Sequence, residues 1–153
     1  MMKGLRSTSH ILLFFSFVLL FALAPVSSAS AAGLADGQYS AQYVVWKADS
    51  DSTSTANSYF EKPAKLVVKD GKIKAQVTLT NSSWITSFKT LDQGVYKDAT
   101  VISTNTAANK RTVEFNVTSL TDVVPAKVSV TVPVIGYTGN YDIRIKFDAA
   151  TVQ

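Results

Sequence analysis

From residue 39 onward the chain alternates apolar and polar positions with a period of two, the mark of strands that bury one face. Tyr39, Ala41, Tyr43 and Val45 predict a first strand with a single apolar face. Leu66-Val67-Val68 then runs into Asp70-Gly71, a hairpin signal because both residues tolerate positive φ. The chain returns through Ile73, Ala75, Val77 and Leu79, with Lys72, Lys74, Gln76, Thr78 and Thr80 on the wet side. Shorter strands are expected over 84–91 and 100–104. Segment 112–118 points Val113, Phe115 and Val117 inward. Segment 127–134 places Val128, Val130, Val132 and Val134 on one face, and 141–147 sets Tyr141, Ile143, Ile145 and Phe147 against Asp142, Arg144 and Lys146. Seven or eight strands at spacings of roughly 8–15 residues, with no amphipathic helix and no internal repeat, predict one all-β domain, an immunoglobulin-like antiparallel β-sandwich. The Ser- and Thr-rich stretch 50–58 reads as a loop or a short 3₁₀ turn.

The first 31 residues follow a different rule. Lys3 and Arg6 precede an apolar run over 11–24, interrupted only by Ser16, and Ala29-Ser30-Ala31 supplies small residues at cleavage spacing. The run is shorter than the ~20 residues of a membrane span. It reads as a Sec signal peptide, residues 1–31, leaving a mature chain of 32–153. Release outside the cell without a membrane anchor is the expected fate, since no wall-sorting pattern ends the sequence.

Removing the leader narrows the available chemistry. His10, Met1 and Met2 lie within it and the chain has no cysteine, so residues 32–153 contain no His, Met or Cys. Serine triads, cysteine nucleophiles, iron–sulfur clusters and the usual zinc ligand sets are therefore excluded, as is any disulfide. With Lys3 and Arg6 gone, 13 Lys and Arg face 11 Asp and Glu. That small, scattered excess gives nucleic-acid binding little support. No catalytic residues and no enzymatic role are expected. Asp49-x-Asp51-x-Thr53 starts like a calcium loop, but Ser54 stands where glycine is needed and Phe60 where a bidentate glutamate is needed. Asn81-Ser82-Ser83 fits a glycosylation acceptor, although a turn is the simpler reading.

Tyr137 and Tyr141 are the more informative pair. On one face of an extended strand they would stand about 13 Å apart, and Gly136 and Gly139 are placed to curve the backbone and bring the rings closer. On composition alone the two remain compatible with ordinary sandwich aromatics.

The stretch Pro133-Val134-Ile135-Gly136-Tyr137-Thr138-Gly139-Asn140-Tyr141 resembles the YxxxY segment of NEAT (near-iron-transporter) domains of Gram-positive bacteria. Tyr59-Phe60-Glu61-Lys62-Pro63-Ala64-Lys65-Leu66 is similar to the family's segment after its lip helix. Asp70-Gly71-Lys72 is similar to its hairpin, and Asn81-Ser82-Ser83-Trp84 to its aromatic-bearing strand start. Length, leader and single module resemble those of secreted haemophores of Bacillus iron-regulated surface determinant systems. The resemblance implies a NEAT fold with a short 3₁₀ lip helix and ferric haem b as the bound group. It assigns the axial iron ligand to Tyr137, and a hydrogen bond to that phenol oxygen, with packing on the porphyrin, to Tyr141. Ser54 would bond a propionate, with Thr55 and Ala56 over the distal face and Tyr59 in the same lip. Val128, Val130, Val132 and Ile143 would form the pocket floor and Trp84 its edge. Host haemoglobin is the implied donor and a cell-wall NEAT receptor the implied acceptor. The rival reading is an immunoglobulin-like adhesion or glycan-binding module without haem.

Ligand chemistry is consistent with this assignment. Haem iron takes His, Met, Cys or Tyr, and residues 32–153 offer only Tyr. A phenol with an ordinary pKa of ~10 is a poor anion at neutral pH, but ferric iron and a neighbouring hydrogen-bond donor both favour phenolate.

Overall fold

The computed structural model describes residues 33–153; the expected leader, residues 1–31, lies outside the described residues. Ten strands form two five-stranded antiparallel sheets. The first sheet contains β1 (Gly37–Ala41), β3 (Ala64–Lys69), β4 (Lys72–Thr80), β7 (Thr100–Asn105) and β8 (Lys110–Val117), in the order β1-β3-β4-β8-β7. The second contains β2 (Tyr43–Lys47), β5 (Ile85–Asp92), β6 (Val95–Asp98), β9 (Val123–Val132) and β10 (Tyr137–Phe147), in the order β2-β10-β9-β5-β6. The all-β sandwich expected from the alternation is the architecture observed, and it is closed without a cysteine.

The strand count exceeds the expectation for identifiable reasons. The predicted first strand breaks at Gln42, so that β1 pairs with β3 in one sheet and β2 with β10 in the other. The alternation of Tyr39, Ala41, Tyr43 and Val45 continues through the break because all four still face the same interior. The C-terminus fixes the crossing. Gln42 N–H donates to Thr151 Oγ1 at 2.8 Å and Gln42 C=O accepts from Asp148 N–H at 2.8 Å. Gln93 and Gly94, both at positive φ, turn the chain into the short strand β6, which the sequence reading missed. Two further strands begin earlier than expected. β9 starts at Val123 and runs through Pro125, which pairs with Arg144 of β10 and lies outside the β5 pairing that ends at Thr90–Ala126. β10 starts at Tyr137.

The core is the interdigitated inner face of both sheets. Leu66, Leu79, Val45 and Ile145 are fully enclosed, and Phe60, Phe88 and Phe115 run between the sheets with edge-on ring contacts at 5.6 and 5.9 Å. Alternation breaks once with consequence. Ile85 and Phe88 are three apart yet both buried, because the β5–β9 register shifts between Ile85 and Ser87, a bulge that returns Phe88 to the inner face.

Leu66→Ala is expected to lower unfolding free energy by about 2–5 kcal/mol, the usual cost of emptying a fully enclosed leucine site. A urea midpoint shift at unchanged slope is the measurement that checks it.

Candidate functional site

The inner face of the second sheet extends past the hydrophobic core, and the site lies on that extension. β9 and β10 pair in unbroken register, with Tyr137 opposite Val132, Gly139 opposite Val130, Tyr141 opposite Val128 and Ile143 opposite Ala126. Directly opposed residues share a face, so valines and tyrosines stand side by side on one apolar surface. Val128 and Ile143 are enclosed while Val130 and Val132 are only half-buried, so exposure grows toward the Tyr137 end.

A 3₁₀ helix at Thr55–Tyr59 overhangs this surface. Ser54 caps it, accepting the Ala56 N–H on Oγ at 3.2 Å. Its hydroxyl hydrogen remains available to an acceptor in the pocket. The helix is tied to the end of β2 by Lys47 N–H to Ser52 C=O and Ser54 N–H to Val45 C=O, both 2.9 Å. Between helix and sheet lies a cavity of about 380 Å³. Ser54, Thr55, Ala56 and Tyr59 line its upper side, Val128, Val130, Val132, Tyr137 and Tyr141 its lower side, and Trp84 and Ile85 one edge.

Ten of the eleven residues singled out from the sequence therefore meet in one place. The exception is Ile143. It shares the face of Tyr141 but sits one pair further into the sandwich, 2% exposed in the core, and is not a cavity-lining residue. Val134, grouped with the inward valines by alternation, is 90% exposed, because β9 ends at Val132 and Pro133–Ile135 forms a 3₁₀ turn. Trp84 belongs to the turn before β5 rather than to the strand; its N–H donates to Asn81 C=O, and its C=O accepts from Thr131 N–H at 2.7 Å. Asn81-Ser82-Ser83 is a turn, held by Asn109.

The tyrosines converge by a route the sequence reading did not give. Gly136 does bend the chain, in the left-handed region at φ 64°. Gly139 does not; its pairing with Val130 is regular. Its contribution is a missing side chain. A Cβ placed there would stand 2.6 Å from the Tyr137 phenol oxygen and 2.7 Å from that of Tyr141. Both hydroxyls lean into the space above a glycine, leaving two oxygens side by side on an otherwise apolar wall.

Lys47, Asn81, Phe60 and Ile85 also line the cavity. Of these, Lys47 had a legible signal. Tyr43 and Val45 face inward, so the next residue of that alternation, Lys47, puts a charge at an inward position. It pairs with Ile143 at the end of β2 and forms no ion pair among the described residues. A free ammonium and a serine hydroxyl thus stand at the rim of an apolar slot with a phenol pair inside. The arrangement suits a flat apolar ligand with anionic substituents. Among the described residues no three His, Cys, Asp or Glu side chains cluster to hold a bare metal ion.

Comparison with known proteins agrees with this architecture. The model of the NEAT family, the Iron Transport-associated domain, matches residues 32–149. The chain belongs to the NEAT family. Hemin/hemoglobin-binding protein 1 of Listeria monocytogenes is 35% identical over 147 residues, covering 94% of this chain and 69% of that protein. Iron-regulated surface determinant protein C of Staphylococcus aureus is 36% identical over 115 residues, covering 71% of this chain. The chain spans about half of that relative, 49%, and 21% of hemin/hemoglobin-binding protein 2 of Listeria monocytogenes. Among solved structures, the NEAT5 domain of IsdX2, a B. anthracis hemophore in complex with heme, superposes with a TM-score of 0.74 at 43% identity, covering 74% of this chain and 97% of that one.

Gly139→Ala is expected to preserve the fold, since the added methyl meets only the tips of two side chains that can swing away. It should displace both phenols. Unchanged far-UV circular dichroism together with shifted Tyr137 and Tyr141 ring resonances would show this; unshifted rings would refute it.

Proposed function

We propose that this chain is a secreted haemophore that holds ferric haem b in the cavity between the lip helix and the β9–β10 face, with the Tyr137 phenolate as axial ligand. The observation that carries this reading is the pair of phenol oxygens converging over Gly139 on an apolar wall. Relatives of the same family support it. IsdX2 NEAT5 is described as a hemophore domain in complex with heme, and two Listeria relatives as hemin/hemoglobin-binding proteins.

The residues present fit such a cargo. The porphyrin is a large apolar plate, and Val128, Val130, Val132, Ile85 and Trp84 offer it an apolar face at roughly 25 cal/mol per Å² removed from water. Tyr137 supplies the only class of iron ligand available in residues 32–153. On this reading Tyr141, whose hydroxyl shares the space over Gly139 with that of Tyr137, would donate a hydrogen bond to the ligating oxygen and so favour phenolate over phenol. Ser54 and Lys47 stand where propionates would leave the slot, one offering a hydroxyl and the other a positive charge. Thr55 and Ala56, small residues on the lip, cover the opposite face of the plate without a second strong ligand. Side chains this small would offer iron no second ligand from the lip, which suits a carrier that must surrender its cargo.

On this reading residues 1–31 direct export and 32–153 form the single haem-binding module. Host haemoglobin is the donor and a cell-wall NEAT receptor the acceptor. The lip helix, exposed at Thr55, Ser58 and Tyr59, is the surface presented to both.

Hemin added to residues 32–153 should give a Soret band. Tyr137→Ala should abolish it and Tyr141→Phe should only weaken binding. A colourless protein would favour the immunoglobulin-like adhesion or glycan-binding module without haem, and an unchanged spectrum in Tyr137→Ala would refute Tyr137 as the iron ligand. Because phenolate is a hard anionic ligand, reduction to the ferrous state should weaken affinity by at least about tenfold, ~1.4 kcal/mol. Titration of ferric and dithionite-reduced haem checks this, and equal affinities would exclude tyrosine ligation.

A further inference from the structure

Behind the lip helix, outside the cavity, lies a second polar assembly. The Lys62 ammonium donates to Asn57 C=O, Asn57 Oδ1 and Phe60 C=O, each at 2.8 Å. All three of its hydrogens are thereby used on one short segment of chain. The same Asn57 Oδ1 accepts the Val45 N–H at 2.9 Å, so one side-chain oxygen joins the lip, the lysine and β2. Lys62 also lies 4.8 Å from the centre of the Tyr43 ring, whose hydroxyl donates to Glu61 C=O at 2.6 Å. Partial burial pulls the Lys62 ammonium below the ordinary lysine range. A half-buried cation is retained here with backbone and amide acceptors and without a carboxylate partner. Neither Lys62 nor Asn57 lines the cavity.

The lip needs such a fastening. It is a five-residue 3₁₀ helix with no buried residue of its own, and a single turn of this kind is not stable from local hydrogen bonds alone. Lys62 caps the carbonyl of Phe60, the residue that ends the helix, and is a second donor to Asn57 C=O, which also accepts the Phe60 N–H at 3.3 Å. We infer that Lys62 is a positioning residue that clamps the lip helix through Asn57 and thereby sets the rate at which haem leaves, without touching haem itself. This inference rests on the proposed haem site for its second half. Its first half, lip rigidity, is independent of haem.

The test uses residues 32–153 carrying Lys62→Met, which keeps the stem over Tyr43 and removes the charge. Val117→Ala serves as a core-thinning control at the far end of β8, opposite Ile73. In the haem-free protein, amide exchange at Ala56, Asn57 and Phe60 should accelerate about tenfold in Lys62→Met, while β8 and β9 amides keep their protection. After loading with hemin, transfer to excess apomyoglobin should also accelerate about tenfold, ~1.4 kcal/mol, with an unchanged Soret position. The control should change neither lip exchange nor transfer selectively. Lip amides that exchange as before, acceleration spread evenly over the whole domain, or a looser lip without faster haem loss each overturn the inference. Should Lys62→Met not fold, Lys62→Gln, which keeps a shorter donor, is read in the same way. A wild-type protein that binds no hemin defeats the proposed function, while the exchange data still judge the clamp.

Discussion

The site depends on one constraint: an apolar sheet face has to be covered, and here the second sheet carries more such face than the first can cover. Along β9 and β10 the inner surface runs from Val124 and Ile145, deep in the sandwich, to Val132 and Tyr137, beyond it. The deep half is covered by Leu66, Leu79 and their neighbours. The outer half faces the cavity, across which the 3₁₀ helix lies. Core and pocket are therefore one continuous hydrophobic surface with two different lids. This explains why Val128 can be almost wholly enclosed and still line the cavity, and why Ile143, one pair further in, is core alone.

That continuity also governs what could be read from the sequence. Period-two alternation reports that a residue faces inward, and it did so along both sheets except at Val134, which lies past the end of β9. It does not report which lid lies above the residue, so it could not separate Ile143 from Val128, Val130 and Val132, which the family resemblance grouped together as the pocket floor. Strand ends were legible only where a turn residue marked them. Asp70-Gly71 was recognised, whereas the break at Gln42 was not, because the alternation passes through it undisturbed. Pro125 concealed the start of β9, since a proline reads against a strand until its neighbour pairing is known.

The site residues were legible for a different reason. Nothing in their spacing places Ser54, Trp84 and Tyr137 together; they are 30 and 53 positions apart in the chain and are joined only by the fold. Family resemblance supplied that information. What resemblance did not carry was the physical detail specific to this chain: Lys47 as an inward-facing charge, and Gly139 as a space rather than a bend. The latter matters because it changes which substitution is informative. A bend can be restored by another flexible residue, whereas a space is lost to any side chain at all.

A haem carrier has to bind strongly enough to take its cargo and weakly enough to give it up, and on the proposed function the two faces of this pocket would divide those tasks. The tyrosine face is built on the longest strand of the sheet, whose Tyr137–Tyr141 stretch is held by an unbroken ladder to β9, while β2 joins it only from Ile143 onward. The lip face is a single turn whose own packing is slight and whose order comes from contacts behind it, chiefly Asn57 and Lys62. On the proposed reading, affinity for ferric iron would belong to the tyrosine wall and the escape rate to the fastened lip. Small lip residues fit this division. Thr55 and Ala56 add little grip of their own, so changes in the clamp behind them reach the bound plate with little resistance from contacts in front. On the same reading a protein partner pressing on the exposed lip would act on that fastening, coupling release to recognition without any residue of the tyrosine wall having to move.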